Sequence, residues 1–173
     1  MTKIDLRVNS VLRESINVEL CLVSRWELPA TIRRGIDDMA IIENILLIFL
    51  GEKRRGLTYI TSQLQEGFRP EDIERTQNRL HLKDFHFSRS LPHEKAFRIF
   101  LAASTRYYLR AREIGVKGPL CGSFSATLLP SHHTQGDPDS AITFFRFTDG
   151  VWQSRSDLEV FQQDLVADIT IGE

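Results

Sequence analysis

The chain has 173 residues, 42% of them apolar and 26% charged, with 22 basic against 23 acidic side chains and a net charge of −1. This length and balance suit one globular domain with a core of its own, and exclude collagen-like, disulfide-rich and wholly disordered chains. The only cysteines, Cys21 and Cys121, lie too far apart for a zinc site and are too few for a disulfide framework, so they are expected as free thiols in a reducing compartment.

No secretory h-region is visible in the opening Met1–Ser10. Lys3–Val8 alternates Ile4, Leu6 and Val8 with polar residues, which predicts a half-buried strand. Ile16, Val18, Leu20 and Leu22 repeat that alternation and predict a second strand, with Trp26 near its end. Pro29 opens a predicted helix from Ala30 towards Leu50, in which Ile32, Ile36, Met39 and Ile42 recur at helical steps. From Ile45 to Leu50 the run is so uniformly apolar that buried helix and buried strand both fit. The whole stretch Met39–Leu50, interrupted by Glu43 and Asn44, would reach only about 18 Å as a helix, short of a bilayer core of about 30 Å.

A glycine-bounded basic turn, Gly51–Gly56, precedes a short predicted helix Leu57–Gln65 stopped by Gly67. Pro70 sits at the first turn of the next helix, Glu71–Leu80, and Leu80–Phe87 is read as a strand with a bulge at Asp84, where the apolar phase switches. The clearest helix runs from His93 to Glu113 and is ended by Gly115. A strand over Phe124–Leu129 is closed by Pro130, and Ser131–Ser140 forms a polar loop. Ala141–Phe147 and Val151–Gln153 flank a Thr148-Asp149-Gly150 hairpin turn. Ser156 and Glu159 have capping-box spacing, which predicts a final helix to Asp168. The expected fold is a single α+β domain over residues 1–173, an antiparallel sheet packed with several helices.

Chemical motifs are sparse. His132, His133, Asp137 and Asp139 share one loop, but adjacent histidines diverge and such a loop supplies no supporting shell, so a solvated loop is expected rather than a metal site. His81 and His86 read as ordinary strand histidines. No nucleophile elbow, Walker loop or dinucleotide fingerprint occurs, and the paired carboxylates Asp37-Asp38, Glu71-Asp72 and Asp137-Asp139 each have a local explanation. A non-enzyme without cofactor, metal or small-molecule substrate is expected. A helix–turn–helix over Leu57–Leu80 would present Arg69, Arg75 and Arg79, but Glu71, Asp72 and Glu74 would face phosphates.

The helix His93–Glu113 carries the strongest pattern. At about 100° per residue, Phe97, Phe100, Leu101, Ser104, Tyr107, Tyr108 and Ala111 share one face. Lys95, Arg98, Arg106, Arg110 and Arg112 occupy the opposite arc, with no acid between Arg98 and Arg112. A one-signed arc fits anionic lipid or nucleic acid, unless its arginines pair with acids elsewhere in the fold. Lys53, Arg54 and Arg55 form a second cationic spot.

The segment Arg106-Tyr-Tyr-Leu-Arg110-Ala-Arg112-Glu-Ile114-Gly115-Val116-Lys-Gly118-Pro-Leu120 resembles the end of the bornavirus matrix protein family, which is related in fold to the rhabdovirus matrix proteins. There an aromatic–Arg–Leu–Arg helix end runs into an Ile-Gly-Val-Gly-Pro-Leu turn, matched here at Arg106, Arg110, Arg112, Ile114, Gly115, Val116 and Gly118. The opening strands and Ser24-Arg25-Trp26 are similar to the rhabdovirus type. The resemblance implies a non-enzymatic virion protein that forms homo-oligomers, binds anionic lipid peripherally and holds the nucleocapsid, located in virion and host-cell cytoplasm. The other expectation for the same arginines is a small cytosolic nucleic-acid-binding or regulatory protein.

Overall fold

A computed structural model describes residues 2–24, 27–49, 53–85, 91–127, 140–146, 158–161 and 164–172, with backbone alone at 53–56, 83 and 127. The fold is α+β. In chain order it runs β1 (Lys3–Val8), α1 (Ser10–Ser15), α2 (Val18–Val23), α3 (Ala30–Asp37), β2 (Ala40–Ile42), β3 (Ile45–Leu47), α4 (Lys53–Gln65), α5 (Pro70–Gln77), β4 (Arg79–His81), α6 (His93–Glu113), β5 (Leu120–Thr127), β6 (Ser140–Arg146) and β7 (Asp164–Gly172). Among the described residues, five strands make one antiparallel sheet in the order β1-β7-β5-β6-β4, and β2 pairs with β3 as a separate hairpin.

One face of the sheet is apolar because alternate residues of every strand point to it. Leu120, Phe124, Ile142, Phe144, Ala167 and Ile169 meet α6 there. Phe97 and Phe100 lie 5.7 Å from Phe124 by ring centroid, and Tyr107 stacks on Phe144 at 4.8 Å. Gly122 allows this close approach: a Cβ there would lie 3.0 Å from both Ser104 Oγ and Ile169 Cγ2. Gly115, at φ +86°, ends α6 in the left-handed region, as its position predicts.

Five predicted elements are corrected. The basic turn expected over Gly51–Gly56 is helical from Lys53 onward, so α4 begins before the predicted Leu57. The alternating stretch from Ile16 to Leu22 is the helix α2, not a strand: the Asn17 side chain caps it by accepting from the Leu20 N–H at 2.9 Å. The helix expected to reach Leu50 stops at Asp37, and the chain turns through Glu43 and Asn44, both at positive φ, to pair β2 with β3. The final helix is replaced by a short 3₁₀ turn at Leu158–Val160 and by β7, which pairs with both β1 and β5. Of the strand expected over Leu80–Phe87, the described residues form the end of β4 and then a 3₁₀ turn, Leu82–Phe85, so the phase change at Asp84 is a turn rather than a bulge; residues 86 and 87 lie outside the described residues. The Thr148-Asp149-Gly150 hairpin and the histidine loop 131–139 lie outside the described residues.

A buried carboxylate ties the hairpin to the sheet. Glu74 of α5 is fully buried. Its Oε1 accepts from the Leu46 N–H at 2.8 Å and from Arg146 Nε at 2.7 Å, and its Oε2 accepts from the Arg146 N–H at 3.0 Å. One turn on, Asn78 accepts from the Ile48 N–H at 2.8 Å and donates to the Leu46 carbonyl at 2.7 Å. Two side chains thus act as a neighbouring strand for β3. Glu74→Ala leaves Arg146 without its carboxylate and Leu46 without its acceptor, and should cost about 3–5 kcal/mol in urea unfolding. A loss below about 1 kcal/mol would show the ion pair to be dispensable.

Candidate interaction surface

The arginines of α6 do not form a free cationic face. α3 and α2 pack against the side of α6 away from the sheet, so Ala96, Ile99 and Ala103 are buried as well as the predicted stripe. Arg106 donates from Nε to Asp37 Oδ1 of α3 at 2.6 Å, with both side chains 37% exposed. Arg98 pairs with Glu94 one turn earlier and shares a hydrogen bond with the Cys21 thiol of α2, which raises its basicity. Arg110 pairs with Glu113 at 3.1 Å. Arg112 donates to the Val116 carbonyl at 2.8 Å and the Gly118 carbonyl at 3.0 Å, and lies over the Tyr108 ring at 4.9 Å. Arg112 therefore clasps the turn after α6. The acids that answer this arc, Glu94, Glu113 and Asp37, all lie outside the window from Arg98 to Arg112.

Lys95 alone of the predicted α6 set is exposed. Lys53, Arg54 and Arg55 lie on the first turn of α4, and that turn contains no acid. In the region read as a helix–turn–helix alternative, Arg69 is engaged by Asp72 at 2.9 Å and Glu74 is buried at the clasp.

Both cysteines are free and buried. Burial pushes the Cys21 thiol up and raises Cys121 to about 11, so both stay protonated near neutral pH and are poor nucleophiles. Burial likewise lowers His93, favouring its neutral form. Among the described residues no three His, Cys, Asp or Glu side chains gather as metal ligands, and no helix is long and apolar enough to cross a membrane.

What the fold assembles instead is an edge and a groove. β1 is the outer strand of the sheet, and among the described residues no strand pairs with its far side. Asn9, fully buried, fixes the chain where β1 ends. Its Oδ1 accepts from the N–H groups of Leu12 and Val166, each at 3.1 Å, and its Nδ2 donates to the carbonyls of Phe161 at 3.0 Å and Asp164 at 2.8 Å. α1 then turns away over β7. Beside β1 lies an open groove of about 770 Å³, with Leu6, Val8, Ile16, Val18 and Leu22 as its apolar lining and Arg13, Glu14 and Glu19 at its polar positions. Ile4 is 62% exposed, and on α2 Leu20 and Val23 are 48% and 82% exposed.

The wall of this groove depends on a cap supplied from far along the chain. The Glu159 carboxylate accepts from the Ser10 N–H at 2.9 and 3.0 Å and from the Ser10 hydroxyl. It thereby answers the unpaired donors and positive end of α1. The predicted capping box holds the right residue with the wrong partner.

Searches against protein-family models, curated proteins and solved structures find no match to this chain.

The Ser10 hydrogen bonds hold Glu159 below the ordinary glutamate range. A depressed folded-state pKa contributes stability above the unfolded value of about 4.3, and that contribution is lost as pH falls through the folded value. Wild type should therefore exceed Glu159→Gln in stability at pH 7, with the gap closing below about pH 4. A gap independent of pH in urea titrations would show that the charge at Glu159 does not stabilise α1.

Proposed function

We propose that the chain is a non-enzymatic, self-assembling structural protein of the viral matrix type, working in virion and host-cell cytoplasm as a peripheral layer on an anionic membrane. The observation that carries this reading is the open edge of β1 with the mixed apolar and polar groove beside it, a combination that suits protein association. The resemblance over Arg106–Leu120 supports it, because Arg112, Val116 and Gly118 of that segment form one connected structural unit at the end of α6. Contact with anionic lipid falls to Lys95 and to Lys53, Arg54 and Arg55 at the start of α4, since Arg98, Arg106, Arg110 and Arg112 hold partners within the fold. Each basic residue near an anionic surface contributes about 1 kcal/mol, so four act collectively where one would not. The nucleocapsid is the partner expected on the opposite side of such a layer.

Two measurements on the full chain test this. Sedimentation velocity across a concentration series should show growing oligomers. Flotation should occur with phosphatidylserine-containing vesicles and not with phosphatidylcholine alone. Replacing Lys53, Arg54, Arg55 and Lys95 with Ser should abolish flotation, whereas Arg106→Ser should leave it unchanged. A chain that stays monomeric, ignores both vesicles and binds single-stranded RNA would replace the matrix reading with the nucleic-acid one.

A further inference from the structure

We infer that two copies of this chain join through β1, strand against antiparallel strand about a two-fold axis at Leu6. This deepens, and rests on, the self-assembling reading above. The five-stranded sheets of both copies then become one continuous sheet.

Hydrogen-bond parity selects which residues can meet. The Asn9 N–H donates to the Val166 carbonyl at 3.1 Å, so Asn9 and Val166 form a hydrogen-bonded pair of the β1–β7 ladder. In an antiparallel ladder such pairs alternate, so Arg7, Asp5 and Lys3 also direct their backbone groups at β7. The backbone groups of Ile4, Leu6 and Val8 therefore face outward. A second strand must hydrogen-bond to these three residues.

Side-chain direction and charge then select the register. Ile4, Leu6 and Val8 point to the face that carries the groove, while Lys3, Asp5 and Arg7 point to the other. Any register that sets an apolar residue of one copy opposite a charged residue of the other mixes the two faces and is rejected. Two longest overlaps remain. Centring on Asp5 would place Asp5 against the partner's Asp5 and Lys3 against the partner's Arg7, like against like. Centring on Leu6 places Asp5 against the partner's Arg7 and Arg7 against the partner's Asp5, and it sets Ile4 against the partner's Val8. Opposite charges directly across a ladder stabilise and like charges destabilise, so the register centred on Leu6 is the one the sequence of β1 matches to itself.

The same register accounts for the groove. The partner's Ile4, Leu6 and Val8 enter the side lined by Leu6, Val8, Ile16 and Leu22, and Ile4, which has little cover within its own chain, gains Val8 of the other copy. Backbone pairing supplies attachment and the groove supplies selectivity, as in strand addition to a sheet edge. The contact is isologous, so it closes at two copies, and a larger lattice needs a second interface. Arg7 also faces Asp168 across β7, and the incoming carboxylate joins that row.

The experiment is a charge exchange read by analytical ultracentrifugation from roughly 1 µM to 1 mM. Wild type should dimerise. Asp5→Arg places Arg against Arg at both ends of the two-fold, and Arg7→Asp places Asp against Asp, so each variant alone should dimerise at least tenfold more weakly. Mixed one to one, the two variants should form a heterodimer of near wild-type strength, because both arginines of the first variant's β1 then face aspartates of the second. If Arg7→Asp fails to fold, Ile4→Pro serves. It removes an outward N–H that β7 does not use, and should raise the dissociation constant at least tenfold while circular dichroism stays unchanged. Dimers insensitive to Asp5→Arg and Ile4→Pro would overturn this interface and leave self-assembly standing. A wild type monomeric throughout would overturn both.

Discussion

The fully buried Glu74 decides which edge of the sheet is closed. By gripping both the middle of β3 at Leu46 and the end of β6 through Arg146, it draws α5 and the β2–β3 hairpin over the β4 end of the sheet. β4 is only three residues long, and α5 packs against its neighbour β6. Short length and a covering element are the ordinary ways of blunting an edge. At the far end, Asn9 performs the opposite service. It ends β1 and sends α1 back over β7, so among the described residues no strand takes up the outward ladder groups of Ile4, Leu6 and Val8. Under the self-assembling reading, one blunted and one open edge would direct association to one side of the sheet, and the proposed β1 pairing rests on this asymmetry.

Local signals carried much of this architecture. β1 was legible from strict alternation, and α6 from three- and four-residue spacing bounded by Pro92 and Gly115, because in both cases burial follows the period of the element itself. The α+β class followed from these and from the interleaved helical and strand-like segments. α2 misled because its apolar residues do not all turn inward. Only Cys21 is fully buried in that helix while Leu20, Leu22 and Val23 remain exposed, and alternation without burial mimics a strand. The uniform run from Ile45 to Leu50 was ambiguous because its first part, β3, is buried on both faces, by the main core at Leu46 and by a smaller cluster at Ile45 and Leu47.

The remaining errors are non-local. Nothing near Glu159 announces that it caps a helix begun at Ser10, and nothing near Asp164–Gly172 announces that this strand fills the place between β1 and β5. The arginine arc of α6 shows the same limit. A window without acids reads as uncompensated, yet Asp37 reaches Arg106 from α3, and Glu94 and Glu113 close the arc from just beyond its ends. Of these pairs, only that of Arg106 with Asp37 is supplied by the fold; Glu94 and Glu113 answer Arg98 and Arg110 from the same helix. The groove beside β1 was invisible for a matching reason: its walls come from a strand, from α1 and from a helix read as a strand.

The measurement that bears most directly on the open edge is residue-resolved amide hydrogen exchange of the unmodified chain at low and high concentration. In both conditions the amides of Asp5 and Arg7, which face β7, should be protected. Those of Ile4, Leu6 and Val8 should exchange freely when dilute and become protected together as concentration rises. Concentration-independent exchange at Ile4, Leu6 and Val8, alongside oligomers seen by sedimentation, would contradict the account and place assembly on another surface.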